Sequence, residues 1–555
     1  MTFRPRFRAM TLATLAAAAL AVVVPAALAQ GRTPSVPLPY RPGVDVTDYD
    51  ITLDLPERGA VIEGRAVLAV RRTARVDTLV LDLVSLRVDS VLVDGRAAPF
   101  ARTDSVIRVP IDRIAGDSFS VTVRYGGEPK DGLIIRTDSS GRWTGFGDNW
   151  PNRGRNWIPG IDHPSDKATV TWTIRAPSDR KVVANGELVE ETPLAASAGS
   201  PRTLTRWRSA RPIPVYLMVV AAAPLVYYDL GRAGCGIGEF DACVRQSVYV
   251  APELRDYLPG PFAHAPSIVR LFSTLVGPYP YEKLAHLQSS TRYGGMENAG
   301  AIFYSDRAFR RRSVGTGLIA HETAHQWFGD AVTEREWSHV WLSEGFATYF
   351  AELWKEHAFG DSAFRAGMTG IRNQIIRAQE VATRPVVDTT QTDLMALLNT
   401  NSYQKGGWTL HMLRALVGDS AFFAGVRSYY LASRHSTALT DDLQRAMEGV
   451  SGRPLGWFFN QWLRRPGFAE ITTSWRHDGA QRRVVATIAQ GNRFGHYRFP
   501  MTVAITDASG RERRATIDVP ATATTTVVVP IEVDAAPRSV VFDPDVRVLG
   551  TFQPR

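Results

Sequence analysis

The sequence predicts a multidomain protein in which a mostly helical α/β domain lies between two β-domains. Short β-branched runs with period-two alternation dominate the first part of the chain, apolar residues three and four positions apart dominate the middle, and short strands return at the end. The 555 residues are 45% hydrophobic and 21% charged, as in a folded chain of about three or four domains. The predicted segments are a targeting segment at 1–29, an N-terminal antiparallel β-domain at 30–250, the α/β domain at 251–465 and a small C-terminal β-sandwich at 466–555.

Each domain has its own sequence signature. Runs such as DYDITLDL and TLVLDLVSLRV, punctuated by Gly, Asp and Pro, indicate antiparallel strands in the first β-domain. After Pro252, segments such as GTGLIAHETAHQWFGDAV and WLSEGFATYFAELWKEHAF have the apolar spacing of helices. Arg465-Pro466-Gly467 breaks the last helical segment, and about six short strands follow, which favours a β-sandwich.

The first 29 residues have the pattern of a secretory signal. Arg4, Arg6 and Arg8 precede an apolar run that ends in the small residues Ala27-Leu28-Ala29. We expect cleavage before Gln30, export to a periplasmic or extracellular location, and no integral membrane span after cleavage. The run is about 20 residues long, so an uncleaved membrane anchor is the alternative.

The charge of the chain bears on nucleic-acid binding, and its cysteines bear on disulfide formation. The formal charge is +9, but no run of Lys and Arg concentrates it, so no nucleic-acid partner is expected. The chain contains two cysteines, Cys235 and Cys243. In an exported protein they are expected to form a disulfide that closes the short loop CGIGEFDAC, with two unpaired thiols as the alternative.

The strongest chemical signal is the sequence His321-Glu322-Thr323-Ala324-His325 in a predicted helix. Residues four apart lie on the same face of a helix, so both imidazoles can bind one cation. Glu322 lies close enough to activate a water molecule without binding the metal. Glu344 follows His325 by 19 residues in the next predicted helix and can supply a third ligand. Two histidines, one glutamate and an open position are typical of a catalytic zinc site, with one Zn²⁺ per chain.

Two further motifs suggest how a substrate is held. The sequence Tyr293-Gly294-Gly295-Met296-Glu297-Asn298 precedes the histidines, and its glycines let a substrate backbone approach closely. We therefore expect Gly294, Gly295, Met296, Glu297 and Asn298 to bind substrate. Tyr403, in the motif Tyr-Gln-Lys-Gly, offers a hydroxyl that could stabilise a developing oxyanion.

Together these motifs resemble the aminopeptidase N-like family of zinc metallopeptidases, the gluzincins with HExxH-x18-E and GxMEN. The matching text is GGMENAGAI, HETAHQWFGDAVTEREWSHVWLSEGFATYFAE and YQKGGWTLHML. The resemblance implies a saddle-like N-terminal β-domain, a thermolysin-like catalytic domain and, in some members, a small β-sandwich. It also implies that His321, His325 and Glu344 bind zinc.

For the remaining motif residues the resemblance implies separate roles. Glu322 would be the general base, Glu297 would hold the free α-ammonium of the substrate, and Tyr403 would stabilise the tetrahedral intermediate. The sequence departs from the family pattern in its first β-domain, where Asp148 and Trp150 stand at positions that often hold glutamine and glutamate. It departs again seven residues beyond Glu344, where Ala351 replaces a frequent acid and Glu352 follows.

The expected function is therefore zinc-dependent aminopeptidase activity on peptides with a free N-terminus. A zinc endopeptidase of thermolysin type would share the metal-binding helices but would not need a glutamate for the substrate amine. A secreted binding protein with a vestigial zinc site is a third reading, although every catalytic position is intact.

Overall fold

The computed structural model describes residues 40–138, 140–195, 200–237, 243–258 and 260–554. The predicted signal segment, 1–29, lies outside the described residues. Residues Tyr40–Arg555 form one compact unit, and strand-rich regions lie before and after a mostly helical one. The multidomain fold class is thus confirmed, with an N-terminal β-region, a helical central region and C-terminal β-sheets.

The N-terminal region is built mainly of strands. They are β1 Val44–Asp54, β2 Ile62–Arg72, β3 Thr78–Asp82, β4 Arg87–Val93, β5 Arg96–Ala97, β6 Ala101–Arg102, β7 Val106–Pro110, β8 Ser118–Gly127, β9 Leu133–Thr137, β10 Trp143–Gly147, β11 Lys167–Pro177, β12 Lys181–Ala184, β13 Glu187–Pro193, β14 Arg202–Pro214 and β15 Val220–Ala223. The long ones, such as β1 and β8, alternate buried and more exposed side chains.

Among the described residues these strands form three sheets. The largest has the order β13-β14-β11-β1-β2-β8-β4-β5, and the others have the orders β12-β15-β10-β9 and β3-β7-β6. Most neighbours are antiparallel, but β1 pairs with β11 in parallel. In β1, Tyr49, Ile51 and Leu53 are buried on one face, because successive side chains of a strand point to opposite sides of the sheet.

The central region combines a mixed sheet with helices. Its strands are β16 Val226–Ala233, β17 Val244–Val250, β18 Lys283–Ser289, β19 Gly295–Met296, β20 Ala301–Ser305, β21 Val332–Glu334 and β22 Ser436–Ala438. Its helices are α1 Ala265–Leu275, α2 Asp306–Arg310, α3 Thr316–His325, α4 Trp341–Phe359, α5 Asp361–Arg377, α6 Gln379–Thr383, α7 Gly406–Val417, α8 Asp419–Ser433, α9 Thr440–Ser451 and α10 Gly456–Leu463.

The sheet of the central region crosses the boundary that the sequence suggests at residue 250. Its order is β16-β17-β18-β20-β19, so two strands of the predicted first β-domain belong to this sheet, and β17 pairs with β18 across the predicted boundary. β17 runs parallel to β18, and parallel neighbours must be joined by a crossover that sequence alternation alone does not reveal. The short strand β19 lies at the edge of this sheet.

The C-terminal region consists of two small sheets. Its strands are β23 Ala469–Asp478, β24 Arg483–Gln490, β25 Phe499–Thr506, β26 Glu512–Val519, β27 Thr524–Glu532, β28 Ser539–Phe542 and β29 Gly550–Pro554. The sheet orders are β27-β24-β23-β29 and β26-β25-β28. No helix in the described part of the chain is both long and apolar enough to cross a membrane.

Candidate metal centre and active site

Helix α3 brings its two histidines together at its C-terminal end. His321 and His325 are separated by one turn, and their Nε2 atoms lie 3.1 Å apart. His325 is buried, whereas the side chain of His321 is 18% exposed and faces the cavity described below. The helix ends at His325, so its last turn presents both rings on one face.

Glu344 completes a triangle of donor atoms. It lies in the first turn of α4, which packs against α3, and its Oε2 is 3.3 Å from the Nε2 of His321 and 3.3 Å from the Nε2 of His325. Burial opposes ionisation of Glu344, but nearby His325 and His321 hold the pKa of its carboxyl at about 2. The carboxylate is therefore the form in which Glu344 would meet a cation.

These three side chains fit a zinc ion. Bonds of 2.0–2.1 Å in tetrahedral geometry separate the ligand atoms by about 3.3–3.4 Å, close to the 3.1–3.3 Å observed. Glu344 Oε2 is also buried without a hydrogen-bond partner among the described residues. A buried carboxylate oxygen without a donor is costly, and a bound cation would satisfy it.

The orientation of His325 is set by atoms on its other side. Its Nδ1 lies 2.9 Å from Ser343 Oγ and 3.2 Å from the carbonyl oxygen of Phe328. A proton on Nδ1 leaves the lone pair on Nε2, which can then face a cation held between the three donor atoms. Gly329, at φ +114°, makes this arrangement possible, because a Cβ there would lie 2.2 Å from Ser343 Oγ and 3.2 Å from His325 Nδ1.

Tyr403 contacts the same centre from a third element. It lies in a π-helical turn, Asn401–Lys405, immediately before α7, and such turns are frequent at functional sites. Its hydroxyl donates a hydrogen bond of 2.8 Å to Glu344 Oε1, and its ring is parallel to that of His321 at 6.0 Å. The hydroxyl of Tyr403 thus hydrogen-bonds to Oε1 of Glu344, and Oε2 has no donor among the described residues.

Two more carboxylates lie beside this triangle. Glu297, Glu322 and His325 each place one donor atom within 4.8 Å of the other two. Burial raises the pKa of Glu322, and the neighbouring Glu297 and Glu344 raise it further. Burial would lower the pKa of His325, but Glu344 and Glu297 outweigh it and raise this pKa. A divalent cation would relieve this concentration of negative charge.

The predicted substrate motif lines the approach to the metal centre. Gly295 and Met296 form the edge strand β19, and a Cβ on Gly295 would lie 2.2 Å from Glu322 Oε1. Glycine is therefore the residue that fits between the strand and Glu322. Asn298 is fully buried, and both amide atoms of its side chain have no partner among the described residues.

The motif residues open onto one cavity of about 540 Å³. Its lining includes the three residues of the triangle, both glutamates and most of the substrate motif. These lining residues are Gly294, Gly295, Met296, Glu297, His321, Glu322, His325, Glu344 and Tyr403. Asn298 is the one predicted substrate residue that does not line it.

The structure also places the residues that depart from the family pattern. Trp150 lines the cavity, whereas Asp148 is buried and pairs with Arg153 at 3.1 Å. Glu352 lines the cavity and pairs with Lys355 instead of a metal-binding histidine. Sequence analysis missed Ser343, although its position directly before Glu344 was a usable signal.

The two cysteines lie away from the metal centre. Cys235 and Cys243 are joined by a disulfide, with their Cα atoms 4.4 Å apart. Cys235 follows β16 and Cys243 precedes β17, so the bridge closes the connection between two paired strands.

Comparison with known proteins agrees with this arrangement. The family model "Peptidase M1 N-terminal domain" matches residues 46–217, and the model "Peptidase family M1 domain" matches residues 265–462. The protein named probable aminopeptidase 2 from Sulfurisphaera tokodaii is 26% identical over an alignment of 458 residues, which covers 78% of this chain and 55% of that protein. The chain thus spans about half the length of the curated relatives it matches.

The chain covers a larger share of the solved structures it resembles than of these relatives. An M1 zinc metallopeptidase mutant from Deinococcus radiodurans, bound to a Tyr-Ser-Ala substrate, has a TM-score of 0.66 and 26% identity, covering 76% of this chain and 94% of that one. Legionella pneumophila aminopeptidase A, in complex with aspartic acid, has a TM-score of 0.80 at 17% identity and covers 92% of this chain and 60% of that one. The two family models together match about two thirds of the residues. The chain therefore belongs to peptidase family M1.

Proposed function

We propose that the protein is a zinc-dependent aminopeptidase that removes the N-terminal residue from peptides. The observation that carries this proposal is the position of Glu297. Its carboxylate lies beside Glu322 and His325, within 4.8 Å, and the residue is only 5% exposed. A buried carboxylate at one end of the metal centre needs a cation as its partner. The α-ammonium of a peptide is such a cation, and it belongs to the residue whose carbonyl forms the first peptide bond.

The proposed metal ligands are His321, His325 and Glu344. When bound there, zinc would supply a Lewis acid that polarises the scissile carbonyl and lowers the pKa of water. The names of the solved relatives include a zinc metallopeptidase, and the donor set and spacing described above support the same ion here.

Three residues of the chain would carry out the remaining steps of the reaction. Glu322, whose pKa is raised by burial, accepts the proton of the attacking water on its carboxylate and delivers it to the leaving amine. Tyr403 lies beside Glu344, where its hydroxyl can turn to donate to the oxyanion that forms at the substrate carbonyl. Glu297 fixes the N-terminus, so that only the first peptide bond meets the metal centre.

Blocking the substrate amine tests this function directly. The assay compares a Leu-Gly-Gly peptide with its N-acetylated form on purified, zinc-loaded protein. An aminopeptidase hydrolyses the free peptide and leaves the acetylated one intact. Equal hydrolysis of both, or cleavage at internal bonds of the acetylated peptide, would identify an endopeptidase instead. Hydrolysis of neither peptide by zinc-loaded protein would favour a binding role.

The variant Glu297→Gln tests whether the carboxylate of Glu297 holds the substrate amine. It keeps the size of the side chain and removes the charge that would hold the ammonium. A charge-assisted hydrogen bond contributes about 1.5–3 kcal/mol, so kcat/KM for free-amine substrates should fall roughly tenfold to a hundredfold. The variant Glu253→Gln is the control, since Glu253 pairs with Arg142 and does not line the cavity.

We also propose that the protein is exported. The basic and apolar pattern of residues 1–29 supports this proposal, and the disulfide between Cys235 and Cys243 is compatible with an oxidising compartment. N-terminal sequencing of protein from the periplasm or medium should give a chain that begins at Gln30. Full-length protein confined to the cytoplasm would contradict the proposal.

A further inference from the structure

The contacts of the substrate motif distinguish the two ends of the cavity. The edge strand and helix α3 run in the same direction along it. Glu297 lies beside His325, Gly295 lies against Glu322, and the Cβ position of Gly294 is 4.0 Å from Leu318. If the substrate amine binds Glu297, as the proposed function requires, the part of the peptide beyond the scissile bond points towards Leu318 and the start of α3.

Lys355 lies at that leaving-group end. On α4 a stripe of residues at helical spacing faces the cavity, beginning at Glu344 and ending at Lys355. The side chain of Lys355 reaches the first turn of α3, since its Cε is 3.9 Å from the Cβ position of Gly317. Gly317 and Leu318 line the same end of the cavity.

The ammonium of Lys355 is available to an anion. Lys355 is the only lysine or arginine among the described residues that line this cavity. Its Nζ donates to Glu352 Oε1 at 2.6 Å, and no second acceptor for it is found in the described part of the chain. The side chain of Glu352 is 7% exposed and that of Lys355 is 37% exposed. Glu352 therefore pairs with the ammonium on its buried side, and the other side of the ammonium is exposed to the cavity.

The two ends of the cavity therefore differ in charge. The carboxylates of Glu297 and Glu322 lie at the end that would receive the substrate amine, and the ion pair of Lys355 with Glu352 lies at the opposite end. The first turn of α3 contains no acidic residue and no side-chain cap, so nothing there neutralises Lys355 from the side of α3. A short peptide carries the complementary pair of charges, an ammonium at one end and a carboxylate at the other.

We propose that Lys355 binds the C-terminal carboxylate of short peptide substrates and makes the enzyme prefer tripeptides. Gly317 precedes Glu322 by five residues, a distance of about 7.5 Å along a helix. An extended peptide covers about 3.3–3.6 Å per residue, so two residues fit between the scissile bond and Lys355. With the N-terminal residue at Glu297, the best-fitting substrate has three residues.

The test compares C-terminal acids and amides on the full-length, zinc-loaded protein. The substrates are Leu-Gly-Gly and Leu-Gly-Gly-amide, and the readout is the ratio of their kcat/KM values. This ratio should be about tenfold in favour of the acid in the wild-type protein, as for one charge-assisted hydrogen bond at a partly exposed site. Lys355→Met should bring the ratio close to one, and Lys355→Arg should keep most of it. The matched control is Lys181→Met, because Lys181 also pairs with a glutamate, at 2.9 Å, but lies outside this cavity.

The outcomes separate this inference from the proposed function. Hydrolysis of a leucyl arylamide, which has no carboxylate, by wild-type protein tests aminopeptidase activity without Lys355. If that activity is present but the wild-type protein hydrolyses acid and amide equally well, the Lys355 proposal is wrong. It is also wrong if Lys355→Met retains the full preference, in which case Lys355 serves only as the partner of Glu352. A series from di- to pentapeptide acids should peak at three residues.

Discussion

The substitution Gly329→Ala should weaken zinc binding although Gly329 is not a ligand. A Cβ at this position would lie 2.2 Å from Ser343 Oγ and 3.2 Å from His325 Nδ1. Non-bonded carbon and oxygen atoms do not approach to 2.2 Å, so Ser343 must move and its contact with the imidazole is lost. Removing a partner that orients a metal-binding histidine typically costs tenfold to a hundredfold in metal affinity. We expect the zinc Kd of the variant to rise by about that factor.

A second glycine provides a matched control. Gly360, between α4 and α5, also has a positive φ, +83°, but a Cβ there would have no atom within 4 Å. An alanine at either position has a positive φ, which costs about 1–3 kcal/mol. Both variants should therefore lose part of the free energy of unfolding, measured by urea denaturation of the metal-free proteins, and Gly329→Ala should lose more because its Cβ also meets Ser343 Oγ. Only Gly329→Ala should also lose zinc affinity.

Competition with a chromophoric chelator measures the zinc Kd of each variant. The metal-free form is used for denaturation, because a ligand that binds only the folded state adds to its apparent stability. Zinc binding by Gly329→Ala that is as tight as in the wild-type protein would refute the role assigned to the contact between Ser343 and His325. Equal weakening in both variants would show that backbone strain, and not this contact, affects the metal centre.

Three further predictions concern the metal centre itself. Glu322→Gln should retain zinc, measured by elemental analysis, and lose about 10²–10⁴-fold in kcat because the proton acceptor is gone; near-normal turnover of the zinc-loaded variant would contradict this. Tyr403→Phe removes the donor that lies 2.8 Å from Glu344 Oε1, and kcat should fall about 10²–10³-fold, with a much smaller change in zinc content; a variant that loses zinc but keeps its kcat per bound ion would overturn that role. Removal of zinc with a chelator should abolish hydrolysis and lower the Tm, and added Zn²⁺ should restore both; hydrolysis by metal-free protein would contradict the assigned ligands.

Much of the fold could be predicted from the sequence because local patterns report local structure. Alternating residues identified the strands of the two β-regions, and apolar spacing identified the helices that hold His321 and Glu344. The disulfide between Cys235 and Cys243 was likewise an expectation from the sequence. The pairing of β17 with β18 was not predictable, because it depends on contacts between distant parts of the chain.

For the site, the sequence by itself determined which chemical groups are present and roughly where they lie along the chain. Fixed offsets on one helix bring His321 and His325 together, because helical geometry is the same in every protein. The tertiary structure decided which groups meet across elements: Ser343 on His325, Tyr403 on Glu344, and Lys355 at the far end of the cavity. These contacts depend on how α3, α4 and the π-helical turn pack, and packing is set by many weak contacts that no single motif records.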